Sequence, residues 1–127
     1  MEIYRDYSNL FKILSHPVRL AVLDILRDGE QCVCHMEAAL GLRQAYISQQ
    51  LMVLREAGII EDRREGWNIF YRIVKPEVIK LLDQTGEVMG KQFSSLSSIP
   101  KASACPCPKC NLPGAAIISS EQVAVKE

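Results

Sequence analysis

The sequence predicts a mostly helical domain that carries one small β-hairpin. Three observations predict it. Apolar residues recur at helical spacing in successive segments up to residue 57. Glycines at 29, 41 and 58 stand where those segments stop. After Gly58 the period shortens to runs rich in β-branched and aromatic residues, and helical spacing returns only at Pro76.

The elements follow in order. Residues 2–14 carry Ile3, Leu10, Phe11 and Leu14, with Tyr4 and Tyr7 between them, and read as a first helix. His16 stands where a helix cap belongs, and Pro17 suits the first helical position, whose N–H is unpaired in any case. Leu20, Val22, Leu23 and Leu26 give this second helix its apolar face, and Asp28-Gly29 ends it. A short third helix is expected over 31–40, broken by Gly41. A fourth is expected over 44–57, with Ile47, Leu51 and Leu54 on one face and Gly58 just past its end. Ile59-Ile60 opens a strand, Asn68 to Val74 forms a second, and Arg63-Arg64-Glu65-Gly66 reads as the turn between them. Pro76 opens a fifth helix along Val78, Ile79, Leu81, Leu82, Val88 and Met89, weakened by Gly86 and Gly90. From residue 94 serines and prolines crowd a stretch without any period. The expected organisation is therefore a domain over 1–93 and a flexible, cysteine-containing tail over 94–127.

The 127 residues suit one domain, 48% hydrophobic and 24% charged. No apolar run approaches the roughly 20 residues of a membrane span. The opening MEIYRDYSNLF mixes acids and aromatics, unlike a secretory signal. A cytoplasmic location and no membrane partner are the expectation. The net charge of zero excludes coating nucleic acid by bulk charge, but a specific DNA binder needs only a favourable distribution.

A helix, a Gly-containing turn, an amphipathic helix and a hairpin with arginines near its tip, in that order, spell a winged helix–turn–helix. The second helix of the pair must hold an apolar face against the domain and leave polar residues free for base edges. Gln44, Ser48 and Gln49 meet that need, since Gln can bond adenine with two hydrogen bonds. Tyr46 adds a stacking or phosphate contact. Arg63 and Arg64 are placed to reach the minor groove or the phosphates.

Residues 13–75 resemble the ArsR/SmtB family of metal-responsive repressors. The resemblance is carried by Ile13-Leu14-Ser15-His16-Pro17-Val18-Arg19-Leu20 and Cys32-Val33-Cys34. It continues through the run from Ile47-Ser48-Gln49-Gln50 to Ala57-Gly58-Ile59-Ile60, and through Arg63-Arg64-Glu65-Gly66 into Phe70-Tyr71-Arg72. It implies a homodimer formed mainly by the first and last helices, and a repressor on double-stranded operator DNA with an imperfect palindrome. Gln50 stands where the family commonly has His, which would alter DNA-facing or adjacent chemistry.

Five cysteines fall in two clusters, Cys32-Cys34 and Cys105-Cys107-Cys110. In an intracellular chain such spacing reads as metal or redox chemistry. By the resemblance, soft-ion sensors carry a cysteine pair where Cys32 and Cys34 stand. Thiolates favour As(III), Sb(III), Cd(II) and Pb(II), with Zn(II) also accommodated. Residues two apart diverge on a regular helix, so one ion holding both sulfurs is expected to strain or unwind the first turn beneath the reading helix. The arsenic-sensing members add a third Cys three residues on, where this chain has Glu37. The expectation is that Cys105, Cys107 or Cys110 completes the site, within the chain or across the dimer. The fifth helix has Asp83 and Glu87 but no His, so no metal site is expected there. A thiol-redox or persulfide sensor on the same fold, using a disulfide from Cys32 or Cys34 to a tail cysteine, is the alternative. No His or Asp arrangement suits nucleophilic catalysis, so no catalytic residue is assigned and the chain reads as a non-enzyme. A purely protein-binding winged helix is the remaining reading.

Overall fold

A computed structural model describes residues 1–91. Cys105, Cys107, Cys110 and the rest of the segment 94–127 lie outside the described residues. The elements run α1 (Glu2–Leu14), α2 (Pro17–Ile25), a short 3-10 turn (Leu26–Asp28), β1 (Gln31–Cys32), α3 (Val33–Leu40), α4 (Gln44–Glu56), β2 (Ile60–Glu65), β3 (Asn68–Ile73) and α5 (Pro76–Met89). The three strands form one antiparallel sheet in the order β1-β3-β2. This is a winged helix–turn–helix, with α3 and α4 as the helix pair and β2-β3 as the wing.

Of the apolar residues read at helical spacing, Val22, Leu23, Leu26, Ile47, Leu51, Leu54, Val78 and Leu82 are buried in the core, while Ile3, Phe11, Val88 and Met89 are exposed. Val22, Leu23 and Leu26 meet Val33 and Met36 of α3 and Ile47, Leu51 and Leu54 of α4. Ile59 and Ile60 close it from the sheet side, and Val78 and Leu82 from α5. His16 caps α2 as its position before Pro17 predicts: its Nδ1 accepts a hydrogen bond from the Val18 N–H at 3.3 Å. Arg27 ties the 3-10 turn to α5, bonding Asp83 at 2.8 Å and Asp24 at 3.2 Å. Helix α1 buries only Leu14 and leaves Ile3, Tyr4, Tyr7 and Phe11 exposed.

Three expectations need correction. Arg63 and Arg64 are not the turn. They lie within β2, and the two-residue loop is Gly66-Trp67, between the paired residues Glu65 and Asn68. Gly66 takes φ 63°, the positive value that a glycine-first hairpin loop requires. The third helix starts at Val33 rather than Gln31, because Gln31 and Cys32 pair with Tyr71 and Phe70 instead. Gly90 does not weaken α5 from within but ends it, as its left-handed cap at φ 72°.

Candidate DNA-reading surface and thiol pair

Helix α4 turns its Ile47-Leu51-Leu54 face inward, which fixes the outward set. Gln44, Tyr46 and Gln49 are exposed and Ser48 is half-buried. All four residues expected to read DNA therefore remain accessible on one helix. Among the described residues no side chain caps the α4 N-terminus at Arg43, which leaves its first-turn N–H groups available to a phosphate. Tyr46 is held from behind. Its hydroxyl lies 3.4 Å from Nε2 of His16, and the two rings are tilted at 46°. Because Nδ1 of His16 accepts from the backbone, Nε2 carries the proton and donates to the tyrosine oxygen. The Tyr46 O–H is left to donate outward.

Gln50 does not face DNA. It is only 7% exposed, and its Oε1 accepts from Nε of Arg19 at 2.8 Å. Arg19 also donates to the Ile13 carbonyl at 3.0 Å, so the pair knits α1, α2 and α4 together. Position 50 is three residues after Ile47 and four before Leu54, on the apolar stripe itself, and that spacing was the signal for its inward direction.

The two wing arginines differ. Arg64 is exposed, and among the described residues no hydrogen bond or ion pair holds it. Arg63 is gripped. Its Nη2 and Nε donate to Glu30 at 2.7 and 3.1 Å, its Nη1 donates to Glu65 at 2.6 Å, and its guanidinium lies 4.8 Å from the Phe70 ring centre. Glu30 first, and then Glu65, push the Arg63 pKa above the ordinary arginine value. Farther along the wing Arg72 pairs with Glu61, and Arg55 of α4 reaches Asp62 at 3.5 Å. The residue missed by sequence reasoning is Trp67, fully exposed at the wing tip. A Gly-X pair between two strands of equal length would have located it.

Cys32 and Cys34 are joined by a disulfide, with their Cα atoms 5.4 Å apart. This corrects the expectation that one helix would hold both sulfurs apart. Cys32 is not in the helix. It is the extended N-cap residue of α3, and its Sγ accepts from the His35 N–H at 3.2 Å. From that position its side chain swings over the first turn and meets Cys34 without unwinding it. Cys32 is 1% exposed and Cys34 half-buried, and His35, which follows the pair, is buried. Glu37 is exposed, and among the described residues no three His, Cys, Asp or Glu side chains converge as an ion site would need. Two sulfurs are in place, and a complete thiolate site would have to draw its other donors from elsewhere.

Residues 16–62 match the family model of bacterial regulatory proteins of the arsR family. A biofilm growth-associated repressor of Agrobacterium fabrum is 47% identical over 78 residues, 61% of this chain and 67% of that protein. An arsenic resistance transcriptional regulator of Pseudomonas putida is 47% identical over 75 residues, 58% of each chain. Among solved structures, a homodimeric winged helix–turn–helix DNA-binding domain from Mycobacterium bovis is 30% identical with a TM-score of 0.62, covering 70% of this chain and 82% of that one.

Proposed function

Because the chain belongs to the arsR family of bacterial regulatory proteins, we propose that it is a homodimeric, cytoplasmic repressor whose hold on operator DNA is set by the thiol state of Cys32 and Cys34. The observation that carries the thiol part is their disulfide, placed at the joint between β1 and α3. Helix α3 packs directly against the reading helix α4, so a change at its first turn reaches the DNA surface through Met36, Ile47 and Leu51. Formation of the bond is a two-electron exchange. The two thiols lose two protons and two electrons, and one low-molecular-weight disulfide is reduced to two thiols.

DNA binding is supported by the accessible residues Gln44, Tyr46, Ser48 and Gln49 of α4 and by Arg64 on the wing. Base contacts from α4 supply sequence choice, while Arg64 and the α4 N-terminus fix position on the phosphates. A second copy is supported by the exposed apolar residues Ile3, Tyr4, Tyr7 and Phe11 on α1 and Val88 and Met89 on α5. It is also supported by the homodimeric domain to which the chain is similar. Two reading helices would then meet two half-sites about 34 Å apart on an imperfect palindrome. No helix among the described residues is long and apolar enough to cross a membrane.

A second reading keeps the sensor and changes its ligand. As(III), Sb(III), Cd(II), Pb(II) or Zn(II) would bind Cys32 and Cys34 together with thiols from Cys105, Cys107 or Cys110. The arsenic resistance regulator among the relatives favours it, as does the supply of three further thiols in the chain.

One titration tests both. The full-length chain is bound to a labelled DNA fragment from upstream of its own gene, at fixed salt, and anisotropy is followed. Oxidised glutathione is added to one series, and each ion is added to the reduced chain in others. Release by the disulfide reagent and retention with all five ions supports the redox reading. Release by an ion at stoichiometric concentration, lost in Cys105→Ser, Cys107→Ser or Cys110→Ser, supports the second. No release in any series refutes thiol control.

A further inference from the structure

We propose that Glu30 carries the state of the Cys32–Cys34 bond to the wing by holding Arg63 away from DNA while the bond is formed. The proposal rests on the thiol-controlled reading above. It names the residue through which that control reaches the wing.

The sheet register supplies the path. Cys32 of β1 pairs with Phe70 of β3, and Phe70 pairs with Arg63 of β2. Residues directly opposite one another across antiparallel strands project from the same face, so Cys32, Phe70 and Arg63 form a single cross-strand row. Glu30, two residues before Cys32, reaches across β3 and takes Arg63 with both carboxylate oxygens, flattening the guanidinium on Phe70. An arginine engaged this way, with Glu65 on its remaining side, offers little charge to a phosphate.

The segment that carries Glu30 runs from a glycine into a very short strand. Strand β1 has two residues and two register pairs. Upstream lies Gly29 at φ 136°, a backbone state that residues with a side chain rarely adopt, with nothing within 4 Å of where a Cβ would be. Gly29 is thus the natural pivot on one side. On the other side the Cys32–Cys34 bond staples β1 to the first turn of α3. A dithiol reductant returns two electrons and two protons to the bond, gives two thiols and is itself oxidised to a disulfide. The staple is then gone, and Glu30 can swing from Arg63 about Gly29. The form with the bond is the one with the captured arginine, and so the form with weaker hold on DNA. Glu30 is a positioning residue: it acts on DNA only through Arg63.

The test uses the full-length chain carrying Cys105→Ser, Cys107→Ser and Cys110→Ser, so that Cys32 and Cys34 alone respond. Affinity for the upstream DNA fragment is measured from 50 to 200 mM KCl, after dithiothreitol and after oxidised glutathione. Each phosphate contact adds about 0.9 to the slope of log affinity against log salt. The reduced form is expected to be steeper than the oxidised form by about 0.9 per protomer. In Glu30→Gln the oxidised slope rises to the reduced value. In Arg63→Gln both slopes stay at the shallow value, and Glu30→Gln combined with Arg63→Gln matches Arg63→Gln alone. That last comparison separates release of Arg63 from simple loss of a negative charge. Arg63→Lys keeps the charge and loses the two-pronged grip, so it reaches the same end from the other partner and decides the matter should Glu30→Gln not fold. If the parent responds to thiol state and Glu30→Gln and Arg63→Lys respond just as strongly, the Glu30 route is wrong and thiol control survives. If the parent does not respond, both are wrong.

Discussion

Replacing Arg64 by Gln removes the wing cation that no acid among the described residues holds, and its effect is calculable. A dimer carries two wings, and each Arg64 neutralises one phosphate in the proposed complex. Each such contact steepens the dependence of log affinity on log salt by about 0.9, so two contribute about 1.8. Between 50 and 200 mM salt, a fourfold change, that is about a 12-fold difference in how much affinity is lost. The assay is fluorescence anisotropy on the upstream DNA fragment at four or more KCl concentrations. Trp67, the only tryptophan in the chain and fully exposed at the wing tip, gives an independent signal from the same region. The disulfide form of Arg64→Gln should lose about 12-fold less affinity across that range than the parent. In the same form Arg63→Gln should leave the slope unchanged, because Glu30 and Glu65 already occupy that guanidinium. Equal slopes for Arg64→Gln and the parent would refute the wing assignment. Equal losses from Arg63→Gln and Arg64→Gln would refute the distinction between them.

Leu51 is fully buried between α4 and the rest of the core, so Leu51→Ala should cost about 2–5 kcal/mol in urea unfolding. His16→Ala removes the cap of α2 and should cost about 1 kcal/mol in the same assay. His16→Asn should restore most of that stability while losing the support of Tyr46, and so still weaken DNA binding. Arg27 holds the Asp83 carboxyl below its ordinary value of 3.8, so this pair contributes stability above the unfolded-state value and loses it as pH falls through the lowered one. Asp24 has the opposite sign: burial raises its pKa, so its contribution declines as pH rises from the unfolded value to the raised one. Asp83→Asn should flatten the acid limb of a stability-against-pH curve, and Asp24→Asn should remove the opposing slope just above it.

What the sequence made legible was local. Helices α1, α2, α4 and α5, strand β3 and the start of β2 follow from apolar spacing read over neighbouring residues. The His16 cap followed from the proline behind it. The outward side of α4 followed once Ile47, Leu51 and Leu54 were turned inward. What escaped depends on partners far along the chain. Strand β1 is two residues long and exists only because β3, some forty residues later, offers an edge. Its formation pulls Cys32 out of the helix, and with that the geometry of the thiol pair changes. Arg63 looks like a free wing cation until Glu30, 33 positions away, takes it. Gln50 was different, since its inward direction was encoded in the stripe and was outweighed by its polarity. A buried amide with an arginine partner satisfies both requirements.

The most direct test of thiol control joins two readouts on one sample. The full-length chain is equilibrated across a series of reduced-to-oxidised glutathione ratios. At each ratio the fraction bound to DNA is measured, and the fraction with the Cys32–Cys34 bond is measured by peptide mass mapping. The two curves should mirror each other, with DNA released at the ratios where that bond forms. Release at ratios where Cys32 and Cys34 are still thiols, or retention after the bond has fully formed, would contradict thiol control.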